Sequence, residues 1–137
     1  MNTVHSRLCV RYCETDAMGI VYHANYLTWF EIGRLDLLQY VDCSYKDLEA
    51  EGLFVPVLSV QVDYISPARF DDSLDLYTEF KEHKRARFAF AYQLFREKKL
   101  LCRGTTWHNF MNVQGRPIRP PQRFLQSLEQ IKDTSAN

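Results

Sequence analysis

The residues best suited to chemistry lie close together, in "YCETDAMGIVYHANY" at positions 12–26. An acid, Asp16, stands in a short loop with Gly19, just before an apolar helical pattern that carries His23 and Asn25 near its start. The first N–H groups of a helix have no intrahelical acceptor and carry the positive end of its dipole. A carbonyl oxygen placed there would be polarised, and an oxyanion forming on it would be stabilised. A carboxylate near that end is favoured in its ionised form, which suits a nucleophile or general base rather than a general acid. His23 is positioned to hydrogen-bond the carboxylate, a substrate oxygen or a water. Tyr12, at the end of a preceding strand, could orient the same group, as could Asn25. A purely structural reading stands beside this one. Asp16 or Thr15 could simply satisfy loop or helix-end N–H groups, and Glu14 reads as a structural or solvated charge.

The elements around this loop follow from periodicity. Residues 4–12 alternate Val4, Leu8, Val10 and Tyr12 as a first strand. A long helix is expected from about His23 to Tyr40, with Tyr26, Leu27, Phe30, Gly33, Leu37 and Val41 on one side and Ile32 and Leu35 elsewhere. So wide an apolar circumference predicts a largely buried helix. Gly33 in its interior costs helix propensity and predicts a close neighbour. A short helix fits 45–51, ended by Gly52.

Period-two runs then mark strands at 55–65, 74–80, 88–95 and 100–113. The short connections between the last three predict an antiparallel meander. Pro120 and Pro121 introduce a short amphipathic helix with Phe124, Leu125, Leu128 and Ile131. The fold class is α+β, one helix against one antiparallel sheet. If the outer face of that sheet is apolar, a second copy should cover it, so a dimer or larger assembly is expected.

At 137 residues one domain spanning 1–137 is expected, and 46% hydrophobic residues can fill its core. Lys+Arg and Asp+Glu both number 17, which argues against bulk attraction to nucleic acid. No run of about 18 apolar residues predicts a membrane span. "MNTVHSRLCV" has no apolar run with a cleavage site, so no signal peptide is expected. Cys9, Cys13, Cys43 and Cys102 form no CxxC pair, which fits reduced thiols in a cytoplasmic protein. His5, Cys9 and Cys13 have metal-like spacing, but no second cluster completes a site and no metal is expected.

The stretch "YCETDAMGIVYHANYLTWFEIGR" resembles the signature of hotdog-fold acyl-CoA thioesterases of the 4-hydroxybenzoyl-CoA thioesterase family. The pattern Tyr-x-x-x-Asp, Gly-x-Val-Tyr, His-x-Asn-Tyr falls on Tyr12, Asp16, Gly19, Val21, Tyr22, His23, Asn25 and Tyr26. "VPVLSVQVDYISPARFDDSLDLYTEF" and "GRPIRPP" are similar to the family's later segments.

The resemblance implies a long central helix wrapped by a curved five-stranded antiparallel sheet. It also implies units paired edge to edge into a homodimer or homotetramer, with the active site at the interface. Asp16 then matches the essential carboxylate, with His23 and Tyr12 beside it, and Gly19, Val21, Tyr22 and Asn25 shape the substrate site. The implied reaction hydrolyses an acyl-CoA, or an acyl carrier protein thioester, to a free acid. Coenzyme A is then part of the substrate and no cofactor is needed. Its phosphates call for cations, and Lys84, Arg85 and Arg87 are the candidates. Two alternatives are an acyl-thioester hydratase or dehydratase, and a non-catalytic acyl-CoA-binding protein.

Overall fold

The alternating runs become strands and the 3.6-period run becomes a helix, in a computed structural model that describes residues 3–135. The elements are β1 (Thr3–Cys9), a 3-10 turn (Tyr12–Glu14), α1 (Asn25–Tyr40), α2 (Tyr45–Ala50) and β2 (Val57–Tyr64). They continue with β3 (Ser73–Lys84), β4 (Arg87–Arg96), β5 (Lys99–His108), β6 (Phe110–Met111), β7 (Pro117–Ile118) and α3 (Gln122–Ser135). The five long strands form one antiparallel sheet in the order β1-β3-β4-β5-β2. The meander β3-β4-β5 is as the short connections predict. β1 and β2 take the two edges.

Helix α1 packs on the inner face of this sheet, against β1, β3 and β4. Leu74, Leu76, Phe80, Phe88, Phe90, Tyr92 and Leu94 are buried there with Phe30 and Leu37 of the helix. The Phe30 ring stacks on Tyr92 with centroids 4.3 Å apart. Gly33 is the close approach the sequence predicts: a Cβ there would overlap the Thr78 hydroxyl and come within 2.8 Å of Leu76 Cδ2. A buried polar chain crosses this core. Arg34 Nη1 donates to Tyr92 Oη (3.3 Å), which meets Thr106 Oγ1 (2.7 Å), which meets His108 Nε2 (2.7 Å). The Arg34 guanidinium can only donate, and the hydroxyls of Tyr92 and Thr106 link it to the His108 ring. Burial, then Arg34, pushes the His108 pKa down to about 3. Its Nδ1 faces the Pro56 carbonyl without a well-formed hydrogen bond.

Several sequence expectations are corrected. The first strand stops at Cys9, because Arg11 N–H donates to Glu14 Oε1 (2.8 Å) and the chain turns. Tyr12 therefore sits in the 3-10 turn rather than at a strand end. Helix α1 begins at Asn25, after a turn over 23–24. It is not largely buried, since Leu27, Ile32 and Tyr40 remain exposed. The run 100–113 breaks after His108. Asn112 Oδ1 there accepts from the Gln114 and Arg116 N–H groups and closes the β6–β7 hairpin. The last helix is longer than expected, at 14 residues.

The outer face of the sheet is not apolar, for it carries the His5–Asp75 pair, Arg7, Gln93 and the Arg103–Asp63 pair. A run of exposed apolar side chains lies instead on edge strand β2 and the residue after it: Val57, Leu58, Val60, Tyr64 and Ile65.

Candidate active site

Residues 15–21 fold into a closed loop. Asp16 N–H donates to the Ile20 carbonyl (2.8 Å), Gly19 N–H donates to the Asp16 carbonyl (3.0 Å), and Thr15 bridges Val21. Gly19 has φ +80°, a left-handed conformation that glycine adopts without a Cβ penalty. The loop is pinned from outside as well. Ile20 bridges Arg69, Val21 N–H donates to the Ala68 carbonyl (2.9 Å), and Ala68 N–H reaches Tyr26 Oη (3.2 Å). The "PARFDD" turn is itself tied by Asp72, which accepts from Arg69 N–H and from Arg96 Nη1, both at 2.8 Å.

Asp16 is half-buried and does not cap α1. Its Oδ1 accepts from Met18 N–H at 2.8 Å, within its own loop. Thr15 likewise bonds back to the Tyr12 carbonyl, at 2.8 Å. The residue at the cap position of α1 is Ala24, in helical conformation and with no side-chain bond to the helix end. Among the described residues, the N–H groups of His23 and Ala24 donate to no acceptor. The next three are used locally: Asn25 to Tyr22, Tyr26 to His23, Leu27 to Ala24. Two open donors therefore lie at the positive end of a 16-residue helix.

Glu14 is the anchor behind this end. It is only 4% exposed, and Trp29 Nε1 donates to its Oε2 at 2.9 Å. Burial alone would raise its pKa, but the bonds from Arg11 N–H, Trp29 and the Arg11 guanidinium hold it below the usual range. Its backbone carbonyl accepts from Tyr22 N–H (2.9 Å) and Asn25 Nδ2 (2.7 Å). Asn25 thus ties the loop to the helix, with its amide committed to backbone.

The other sequence candidates divide. Tyr22 and His23 are both exposed, with ring centroids 4.5 Å apart. Val21 is buried beneath them. Tyr12 is 75% exposed, and its ring meets Phe70 edge-on at 5.5 Å. No bond from its hydroxyl to Asp16 is formed. Lys84, Arg85 and Arg87 lie elsewhere, at the β3–β4 hairpin. The Asp16 loop is attached near the Ser73 end of β3, and twelve extended residues put Lys84 roughly 35 Å away along the strand. Arg85 there borders a groove shared with His83, Arg119 and Gln122. Among the described residues no group of three or more His, Cys, Asp or Glu could hold a metal ion.

Tyr64 is a site residue that the sequence does not single out. It ends β2, and its hydroxyl donates to the His23 carbonyl at 2.8 Å. Burial pushes its pKa up, so it is a neutral donor at ordinary pH. With Ile20, Val21, His23, Tyr26, Ile65 and Pro67 it lines a mostly apolar groove of about 310 Å³ beside the helix start. The period-two pattern marks Tyr64 as an inward strand residue but cannot show that its strand ends beside α1.

A helix wrapped by a five-stranded antiparallel sheet, with a carboxylate loop at its uncapped start, defines the hotdog class. The chain belongs to the thioesterase-like superfamily, whose family model matches residues 10–128. It is 37% identical over 125 residues to the acyl-CoA thioesterase YbgC of Haemophilus influenzae, covering 90% of this chain and 92% of that one. It is 35% identical over 103 residues to the acyl-CoA thioester hydrolase YbgC of Escherichia coli O157:H7, covering 74% and 77%. The solved structure of a DHNA-CoA thioesterase from Staphylococcus aureus superposes with a TM-score of 0.87 at 30% identity, covering 99% of this chain and 92% of that one.

Proposed function

We propose that this protein hydrolyses acyl-CoA to a free carboxylic acid and coenzyme A, with Asp16 as nucleophile or general base. The observation that carries the reading is the pairing of an uncapped helix start with a carboxylate that does not fill it. A thioester carbonyl set against the His23 and Ala24 N–H groups would be polarised there. Asp16 would then attack the carbonyl carbon to give a mixed anhydride, or take a proton from an attacking water. In either route the C–S bond breaks and coenzyme A leaves as a thiolate, a good leaving group; in the first, water then cleaves the anhydride to give the acid and restore the Asp16 carboxylate. The chemistry calls for no metal or cofactor. We assign substrate contact to His23, which lines the apolar groove beside Tyr64, and to the exposed Tyr12, and the groove itself suits an acyl group.

The working unit we propose is a homodimer, paired again in a tetramer. The exposed apolar edge of β2 supports edge-to-edge pairing, because an unpaired apolar strand edge is a ready template for another chain. Assembly also gives the basic hairpin a role. Lys84, Arg85 and Arg87 lie too far from their own Asp16 loop, so they would reach the phosphates of coenzyme A bound to another subunit. We place the protein in the cytoplasm, in keeping with four free cysteines, two of them exposed. No helix among the described residues is long and apolar enough to cross a membrane.

The test is a panel of short, long and aromatic acyl-CoAs, with released thiol read by a colorimetric reagent. Hydrolysis of at least one is expected. Failure with all of them would sink the reading.

A further inference from the structure

We propose that Tyr64 is a positioning residue for the reaction, because its hydroxyl fixes the peptide unit that presents the Ala24 N–H to the substrate carbonyl. This rests on the thioesterase reading above. The two open donors at the start of α1 belong to different peptide units. The His23 N–H shares a plane with the Tyr22 carbonyl, which Asn25 N–H holds at 2.9 Å from within the same turn. The Ala24 N–H shares a plane with the His23 carbonyl, and that carbonyl is poorly held by the helix itself. Tyr26 N–H approaches it at 3.4 Å, a long contact for an N–H···O bond, and Leu27 N–H goes to the Ala24 carbonyl instead. Tyr64 Oη at 2.8 Å is its shorter partner.

A peptide is planar and trans, so fixing the carbonyl fixes the direction of the N–H on its opposite side. A bond accepted by the carbonyl also polarises that N–H and makes it a stronger donor. Tyr64 comes from the exposed edge strand β2, not from the helix, and its ring is braced edge-on by Tyr26 (5.1 Å) and His23 (6.4 Å). One donor is therefore set by its own turn and the other by the sheet.

Tyr64→Phe removes the hydroxyl and keeps the ring packing. The variant keeps the apolar ring that the β2 edge presents, so it is expected to fold and assemble as the parent does. In steady-state assays on a hydrolysed acyl-CoA, kcat is expected to fall about tenfold, less than the loss of a whole oxyanion donor, with KM changing less than about twofold. The second readout is infrared. In the Asp16→Asn background, a bound ¹³C-labelled thioester should show a lowered carbonyl stretch, and adding Tyr64→Phe should move it back towards the solution frequency. Replacing Tyr64 by 3-fluorotyrosine, which keeps ring and hydroxyl, should retain the parent kcat and guards against a folding artefact.

A kcat within about twofold of the parent in Tyr64→Phe would overturn the proposal, as would a lower kcat with an unmoved carbonyl stretch. Loss of kcat in the 3-fluorotyrosine protein would overturn it too. These failures are separable from failure of the thioesterase reading, in which the parent protein itself releases no thiol.

Discussion

The starts of α1 and α2 solve the same problem in opposite ways. At α2 the Ser44 side chain accepts from Asp47 N–H at 3.2 Å, in the usual capping geometry. At α1 the same position is Ala24, and Asp16 in the preceding loop turns its carboxylate into that loop. The short helix spends its N-terminal donors on itself, because six residues have little else to hold them. The long helix is held by its body, through Phe30 on Tyr92 and Gly33 against β3, and can leave two donors unspent. The packing of this element thus lies in its middle, and its start is left to the chemistry proposed above.

The sharpest way to break this comparison is Asp16→Asn. If the loop acid serves chemistry and not the helix, thiol release should fall by about 10²-fold or more, while the thermal midpoint moves little. The amide keeps an oxygen for Met18 N–H, so the loop bond survives. A rate near that of the parent would mean Asp16 is structural after all. The converse is Gly33→Ala in the body of the helix. A methyl group there overlaps the Thr78 hydroxyl, and overpacking of this kind costs on the order of 1–3 kcal/mol, read by urea denaturation. A neutral or stabilising outcome, as helix propensity alone predicts, would show that α1 is not seated tightly on β3.

Glu14 lies between these two regions, because it anchors the turn before the Asp16 loop from inside the core. Its pKa is lowered in the folded protein, so its contribution to stability is fully present above its ordinary value of 4.5. It is lost as the pH falls below that value and through the folded-state pKa. Glu14→Gln should therefore flatten the acid limb of a stability–pH curve, and cost about 1–3 kcal/mol at pH 7. An unchanged acid limb in the variant would show that other carboxylates govern it.

Much of the site is legible in the sequence because it is local. Tyr12 to Asn25 is one turn, one loop and one helix start, so spacing alone puts Asp16 before open N–H groups. Gly33 is legible too, since a glycine inside an apolar helix gives up helix propensity and a close neighbour is what makes that loss worthwhile. The long-range parts are not. Alternation in 55–65 identifies a strand but not its partner, and only pairing with β5 at the far edge brings Tyr64 beside His23. Glu14 reads only as a structural or solvated charge, because its neighbours Cys13 and Thr15 say nothing of Trp29, fifteen residues on. The same limit hides the Arg34–Tyr92–Thr106–His108 chain, whose members come from three separate elements. It also hides the distance of Lys84, Arg85 and Arg87 from the Asp16 loop, because charge is visible in a sequence and the end of the sheet it occupies is not.

The smallest effect tests the other side of the comparison. Ser44→Ala removes the α2 cap, which should cost about 1 kcal/mol, the usual value for losing a serine N-cap. The change should appear as a lower denaturation midpoint with an unchanged slope, because no additional surface is exposed in the native state. Its effect on kcat should be nil, since α2 has no part in the Asp16 loop or the groove beside Tyr64. A loss of activity at constant stability would tie the α2 start to the site and undo the division between capped and uncapped ends. A stability loss with intact turnover would show that the serine cap serves the fold at α2, the role that Ala24 leaves unfilled at α1.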